Sequence, residues 1–244
     1  MRLLLLTIFF GCGLLVFSQD DYPPVVNYST QQYGKDKNPE NHCVVQDQRG
    51  IMYFGNANGV LEFDGQKWDF IQVKAGVFVR SIGVDSSGVI YVGASGDFGY
   101  LKPDETGKLV YESLCGQLDE MDLFFYDVWA IHITKEEVFF QAQESLFRYD
   151  LKTKKLETHY PDFSYHRSFL VNSTLYIRSR EIGVQKFENG VLTTLPGTEV
   201  FQIYGLFGVF ELEDDSLLFV TQELGLWKWK NGVMRQLPEQ NLVP

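Results

Sequence analysis

The chain has 244 residues, is 45% hydrophobic and 15% aromatic, and carries a formal net charge of −11. Acidic residues lie in every part of the chain and no basic patch opposes them, which excludes nucleic-acid binding by this segment. After the first 19 residues, no stretch approaches the roughly 18 apolar residues that a membrane-spanning helix needs.

Residues 1–19 have the features of a secretory signal peptide. An apolar run ends with Val16 and Ser18 at the two positions that precede cleavage at Gln19. Phe10-Gly11-Cys12 resembles a lipoprotein box, but the apolar run continues past the cysteine, which favours cleavage over lipidation. We therefore predict an exported, periplasmic protein.

After a lead segment (residues 20–40), the sequence repeats itself. The segment from Val44 to Trp68 returns as Ser81 to Leu109, and the pairs Asp47/Asp85, Gly50/Gly88, Tyr53/Tyr91 and Gly55/Gly93 lie 38 residues apart. Three looser copies follow at Ala130 to Leu156, Phe169 to Leu195 and Phe210 to Leu237. The first apolar residue of the second predicted strand serves as a marker in each copy: Ile51, Val89, Val138, Leu175 and Leu217. Successive markers are 38, 49, 37 and 42 residues apart, and the spacing of 49 reflects an insertion around residues 112–126. A period near 40 with Gly-rich turns is typical of a β-propeller blade.

Each copy contains four short β-rich runs joined by turns. Asp64-Gly65, Asn189-Gly190 and Asn231-Gly232 predict type I′ hairpin turns, because both central positions of that turn need positive φ. The fold predicted is all-β: a propeller of four-stranded antiparallel blades at residues 41–79, 80–127, 128–166, 167–207 and 208–244. A β-sandwich has similar turn spacing but leaves the internal repeat unexplained.

A closed five-bladed ring is one alternative. The other, which we expect, is an incomplete part of a larger propeller, since nothing after Leu237 reads as a closing strand. Exposed blade faces would then make an isolated chain prone to association. Most of the aromatic side chains are expected to fill the wedges between blades.

Three strings, from Asn38 to Trp68, Val79 to Asp104 and Phe124 to Ile131, resemble the N-terminal sensor propeller of two-component-regulator-propeller proteins of Bacteroidetes-type bacteria. The resemblance covers nearly all of residues 22–237 and is most specific in the first two copies. It implies a sensor input domain. It also implies a C-terminal output region that is missing here: a triple-tyrosine domain, a membrane span that anchors the full-length form in the inner membrane, and a kinase or helix-turn-helix domain.

The sequence contains no motif for catalysis, a metal or a cofactor. The four histidines His42, His132, His159 and His166 lack metal-ligand spacing. Asp47 and Asp85 are predicted to accept backbone N–H groups in the turns that follow them. Cys43 and Cys115 are expected to be small buried groups rather than a disulfide.

One set of positions is a candidate ligand site. The residue before each innermost strand should lie at the mouth of the central channel, and across the copies it is predicted to be His42, Arg80, Trp129, Arg167 and Gly208. Two arginines, an imidazole and an indole there would suit a carboxylate, a phosphate or a sugar. Neighbouring turns on the same face would add Asn56, Asn58, Ser95 and Asp97. The alternative is that these arginines only pair with carbonyls or acidic neighbours. Replacing both arginines by alanine should abolish binding if the site is real.

Three functions remain open at this point. The leading hypothesis is a non-enzymatic sensor of a small extracytoplasmic ligand such as a glycan fragment. The second is a secreted propeller that serves as a protein-interaction scaffold. The third is a propeller lyase or glycosidase, for which Tyr126 with His132 is the best available acid–base pair.

Overall fold

The computed structural model describes residues 25–238 as five antiparallel sheets of four strands each. Within every sheet the strands pair in chain order, so each sheet is one blade made from one sequence copy. The predicted β-propeller with about five blades is confirmed. The predicted signal peptide lies outside the described residues.

The first blade holds β1 (Cys43–Gln46), β2 (Met52–Asn56), β3 (Gly59–Phe63) and β4 (Trp68–Gln72). The second holds β5 (Val79–Val84), β6 (Ile90–Ala94), β7 (Asp97–Pro103) and β8 (Leu109–Ser113). The third holds β9 (Ala130–Ile133), β10 (Glu137–Gln141), β11 (Leu146–Asp150) and β12 (Leu156–His159). The fourth holds β13 (Tyr165–Val171), β14 (Thr174–Ser179), β15 (Gly183–Glu188) and β16 (Val191–Thr194). The fifth holds β17 (Leu206–Glu211), β18 (Leu217–Thr221), β19 (Leu226–Lys230) and β20 (Val233–Gln236).

The first strand of each blade packs against the first strand of the next, from β1 through β5, β9 and β13 to β17. The first strands of the second, fourth and fifth blades begin one or two residues before the blade boundaries predicted from the sequence. Within residues 25–238, helical structure is limited to α1 (Thr30–Tyr33) and three short 3₁₀ helices at Cys115–Gln117, Glu120–Leu123 and Glu199–Gln202. The first two of these 3₁₀ helices form the predicted insertion.

Large aromatic side chains fill the space between blades, as expected. Between the second and third blades, the ring centroid of Phe98 lies 4.5 Å from that of Phe147 and 4.6 Å from that of Phe140. All three side chains are at least 99% buried. Burial of rings of this size dominates the energetics of a core, so these wedges stabilise the stacking of blades.

The lead segment covers the outer part of the first blade. The rings of Tyr28 and Tyr33 lie 5.4 and 5.3 Å from that of Trp68, which itself stacks on Phe63 at 4.4 Å. The ammonium of Lys37 lies 3.9 Å from the centre of the Phe70 ring. Residues ahead of β1 thereby bury an aromatic face that the first blade would otherwise expose.

The two predicted aspartate turns are confirmed. One carboxylate oxygen of Asp47 accepts the N–H groups of Arg49 and Ile51 at 2.9 and 3.0 Å. Asp85 accepts the N–H groups of Ser87 and Val89 in the same way, at 2.8 and 3.0 Å. These side chains therefore satisfy turn donors. Cys43 and Cys115 are free, half-buried thiols.

The hairpin turns follow the prediction only where asparagine precedes glycine. Asn189-Gly190 and Asn231-Gly232 have positive φ at both positions, as a type I′ turn requires. At Asp64 φ is not positive, and the turn is longer. Its carboxylate accepts the N–H groups of Gln66 and Lys67 at 2.8 and 2.7 Å, so the side chain closes a wider loop.

Candidate functional site

The pairing of the first two strands defines one equivalent position in every blade. The first regular pair at the inner end is Cys43–Gly55, Ser81–Gly93, Ala130–Gln141, Arg167–Arg178 or Gly208–Val220 in blades one to five. The residues immediately before these pairs are His42, Arg80, Trp129, His166 and Phe207. We refer to these five residues as the mouth row.

The mouth row corrects the sequence alignment in two blades. The sequence placed Arg167 and Gly208 at this position, whereas the strand register places His166 and Phe207 there. The register shifts just at these residues, as it also does at Arg80. A one-residue bulge changes the relation between sequence position and sheet face, and because it occurs in the second, fourth and fifth blades only, one count along the sequence does not fit every copy.

Arg80 is the centre of a paired network in the first half of the row. One guanidinium nitrogen lies 3.3 Å from the imidazole of His42, and Nε lies 3.2 Å from the carboxylate of Asp127. The hydroxyl of Ser95 donates to the same carboxylate. The guanidinium also lies 5.4 Å from the ring of Trp129. Arg80 is therefore neutralised by a neighbour from the inter-blade connection, as the alternative for this residue predicted.

Arg167 differs from Arg80, because within residues 25–238 it forms no ion pair. Its guanidinium lies 4.4 Å from the ring of Phe207 and its side chain is exposed. A cavity of about 280 Å³ opens beside it, toward the third blade. The cavity is lined by Trp129, Ala130, Gln141, Gln143, His166, Arg167, Ser168 and Phe169. A cation and an indole thus border one small cavity, which is an arrangement suited to a ligand.

The floor of this cavity is a hydrogen-bonded chain. The Ser168 hydroxyl donates to Oε1 of Gln141 at 3.1 Å and lies 2.8 Å from Nε2 of His132. Because the hydroxyl has one proton, the imidazole is the donor in the second bond. Burial lowers the pKa of His132 to about 4, so the ring is neutral. The serine proton points away from the imidazole, and the pair is not an activated nucleophile.

His166 lies among positive charges. Burial, together with the charges of Arg178, Arg180 and Arg167, lowers its pKa to about 4. Its Nδ1 atom is buried and has no hydrogen-bond partner among the described residues. The guanidinium of Arg178 is held by three backbone carbonyls, from residues 201 to 203, at 2.7, 2.9 and 3.1 Å. The imidazole is therefore a neutral group in a positive field.

Three further residues predicted for the site have their side chains engaged elsewhere. The buried amide of Asn56 donates to backbone carbonyls of the lead segment, and Oδ1 of Asn58 accepts from the N–H of Gly76 at 2.7 Å. The carboxylate of Asp97 accepts from the hydroxyl of Tyr111 at 2.9 Å. These contacts support blade structure. In the described part of the chain, no three His, Cys, Asp or Glu side chains come together as a metal site would require.

Sequence reasoning missed Asp127, His166, Phe207, Arg178 and Arg180 as neighbours of the site. Asp127 directly follows the insertion and forms a bridge with Ser95, as Phe78 does with Ala57 in the preceding connection, so an apolar residue stands at its equivalent position there. The two arginines lie on or next to the second strand of the fourth blade, where only the register brings them beside the mouth row. The closeness of the two arginines in sequence, at residues 178 and 180, was the one available signal.

Comparison with known proteins supports the fold. No family profile matches the chain, and no curated protein matches it significantly. Virginiamycin B lyase from Staphylococcus aureus aligns with a TM-score of 0.59 at 13% identity, over 81% of this chain and 69% of the lyase. The extracellular domain described as belonging to the hybrid two-component system BT4673 of B. thetaiotaomicron aligns with a TM-score of 0.57 at 17% identity. That of BT3049 from the same organism aligns at 0.53 and 15%.

The chain covers only 27% and 31% of those two extracellular domains, while they match 80% and 86% of the chain. Identities this low establish a shared fold. The resemblance to two-component sensor propellers is confirmed at that level. No helix of residues 25–238 is long and apolar enough to cross a membrane.

Proposed function

We propose that this chain is an extracytoplasmic ligand-sensing propeller, and that the ligand binds at the mouth row. The observation that carries the proposal is the cavity between Trp129 and Arg167, which combines an indole at 48% exposure with an arginine that forms no ion pair in residues 25–238. Exposed indole and guanidinium groups that converge on one cavity supply stacking and charge-assisted hydrogen bonds. The similarity to extracellular domains of two-component systems supports a sensing role.

A sensor must also connect ligand binding to a change of state. Contacts link His42 to Arg80 and Arg80 to Trp129 on one side, and His166 to Phe207 at 6.2 Å on the other. The cavity that Trp129 and His166 both line lies between these two groups. A ligand that bridges Trp129 and Arg167 would contact the third and fourth blades together. Such a ligand favours one packing of those blades by its difference in affinity for the two arrangements. Its signal would pass to the output region that the family resemblance implies.

The lyase similarity makes an enzyme the second candidate. The acid–base pair predicted from sequence does not support it, because Tyr126 is 78% exposed while His132 hydrogen-bonds Ser168. Nor does the His132–Ser168 contact supply a base, since the imidazole already donates its proton. The geometry therefore favours binding without turnover.

Isothermal titration with a panel of neutral and acidic oligosaccharides tests the proposal. We expect a member of the panel to bind the chain. Arg167→Ala and Trp129→Ala should each weaken that binding at least tenfold, the loss of one good charged or aromatic contact. Arg235→Ala is the matched control, because Arg235 is an exposed arginine of the fifth blade. Equal binding by all variants would place the ligand elsewhere, and release of cleaved product during the titration would identify an enzyme.

A further inference from the structure

Three arginines lie close to one another in the fourth blade, next to the mouth row. Arg167 and Arg178 are directly opposite each other in the pairing of β13 with β14, and opposite residues of neighbouring strands project to the same side. Arg180 lies in the turn directly after β14, two residues beyond Arg178, and its charge acts on both Arg178 and His166. The side that Arg167 and Arg178 share faces the fifth blade, since Arg178 bonds the carbonyls of residues 201 to 203 and Arg167 covers Phe207.

This cluster is unfavourable as it stands. Like charges directly opposite each other in a sheet destabilise it, and no carboxylate of residues 25–238 forms an ion pair with any of the three arginines. Glu181 acts on Arg178 only at longer range. The chain has 32 acidic residues against 21 basic ones, so the lack of an ion pair within residues 25–238 does not come from a shortage of carboxylates. Other arginines of the protein have one, as Arg148 pairs with Glu137 and Glu157.

The roles within the cluster differ. Arg178 is 97% buried and fixed by backbone carbonyls, so it supplies a positive field rather than a reachable donor. Arg167 and Arg180 are exposed. His166 lies next to them with a buried Nδ1 atom that has no partner in the described chain. Two reachable guanidinium groups with an imidazole between the blades form the donor set that oxygen anions prefer.

We propose that Arg167, Arg180 and His166 bind an oxyanion group of the ligand: a carboxylate, a sulfate or a phosphate ester. This inference rests on the proposed function, because it assigns to the sensed ligand the charged group by which it is recognised. The anion would offset the repulsion among the three arginines. Because Arg167 packs on Phe207 of β17, an anion held by Arg167 would also favour the contact between the fourth and fifth blades. Cavity and cluster meet at Arg167, so a ligand could place its neutral part beside Trp129 and its anionic part beside Arg180.

The test uses simple anions, so that it does not depend on the identity of the ligand. Sodium sulfate, sodium phosphate and glucuronate are titrated into the purified chain at constant ionic strength, with glucose as the neutral comparison. Binding is followed calorimetrically and by the NMR resonances of the His166 ring. Arg167→Gln and Arg180→Gln remove one charge each and keep a polar side chain, and Arg235→Gln is the control. Melting curves of all variants verify that they fold.

We expect at least one of the three anions to bind, to shift the His166 resonances, and to bind about tenfold more weakly to either cluster variant. Which anion binds best distinguishes carboxylate, sulfate and phosphate sources. Binding that survives in both cluster variants, or no binding of any anion, overturns the inference. If the chain binds a neutral oligosaccharide but no anion, the inference fails while the proposed function stands. If sulfate binds at Arg167 but no oligosaccharide of the panel binds, the inference stands and the proposed function is weakened.

Discussion

Acidification should destabilise the propeller through His132, the imidazole below the cavity. The ring is neutral in the folded chain because burial lowers its pKa to about 4 from an ordinary value of 6.5. A base whose pKa is lowered by folding binds fewer protons in the folded state than in the unfolded state. Its contribution to stability is therefore intact above pH 6.5 and is lost as the pH falls from 6.5 toward 4.

The two pKa values set the size of this effect. Between pH 7 and pH 4.5 the unfolded imidazole becomes almost fully protonated, while the folded imidazole remains mostly neutral. The corresponding loss in free energy of unfolding is about 2 kcal/mol. Carboxylates in the turns also lose stability on acidification, so the pH dependence of the wild-type protein alone does not isolate His132.

Urea unfolding of the wild-type protein and of His132→Gln at pH 7 and pH 4.5 isolates the contribution of His132. Glutamine keeps an N–H donor for Ser168 but does not titrate. The loss of stability between the two pH values should be smaller in the variant by about 2 kcal/mol. Equal losses of stability in the two proteins, or an NMR titration in which the His132 ring protonates near pH 6.5, would show that burial does not lower the pKa of this ring.

Three further predictions concern the frame that holds the site. In Gly99→Ala the added Cβ would lie 2.0 Å from a backbone carbonyl oxygen of β8, so the free energy of unfolding measured in urea should fall by about 2 kcal/mol. In the control Gly116→Ala the added carbon meets open space, so stability should change little. Equal losses in the two variants would contradict this prediction. Asp85→Ala removes the carboxylate that accepts two turn N–H groups, and its unfolding free energy should fall by about 2 kcal/mol; an unchanged midpoint would contradict the turn role. Tyr33→Ala uncovers Trp68, so we expect the free energy of unfolding to fall by about 3 kcal/mol and the tryptophan emission to shift to the red. Stability and emission like those of the wild type would show that the lead segment does not cover the blade.

The blades and their turns could be predicted from the sequence because their signals are local. Asp85 and the asparagine–glycine pairs act on backbone within a few residues, and the repeat period is visible without a structure. The same logic failed at Asp64, where a carboxylate that can reach two N–H groups favours a wider loop than its Asp-Gly sequence indicates.

The site could be predicted only in part. For His42, Arg80 and Trp129 the strand register agrees with the position assigned from the sequence, whereas Arg167 and Gly208 lie one residue beyond it. The inner strand has a bulge in the second, fourth and fifth blades but not in the first and third, and bulges leave no clear sequence signal. Arg80 and Arg167 look equivalent in sequence, yet within residues 25–238 only Arg80 has a carboxylate partner, Asp127, which lies 47 residues away in the connection to the third blade. Such tertiary pairing is outside the reach of repeat alignment.

Locating the bound ligand within the propeller tests most directly whether it binds at the mouth row. The chain has four tryptophans, Trp68, Trp129, Trp227 and Trp229, and each gives one indole N–H resonance that can be assigned by substitution to phenylalanine. On addition of whichever of sulfate, phosphate and glucuronate binds best, we expect the Trp129 signal to move while the other three stay in place. Movement of a signal from the first or fifth blade, with Trp129 unchanged, would contradict a ligand site at the mouth row.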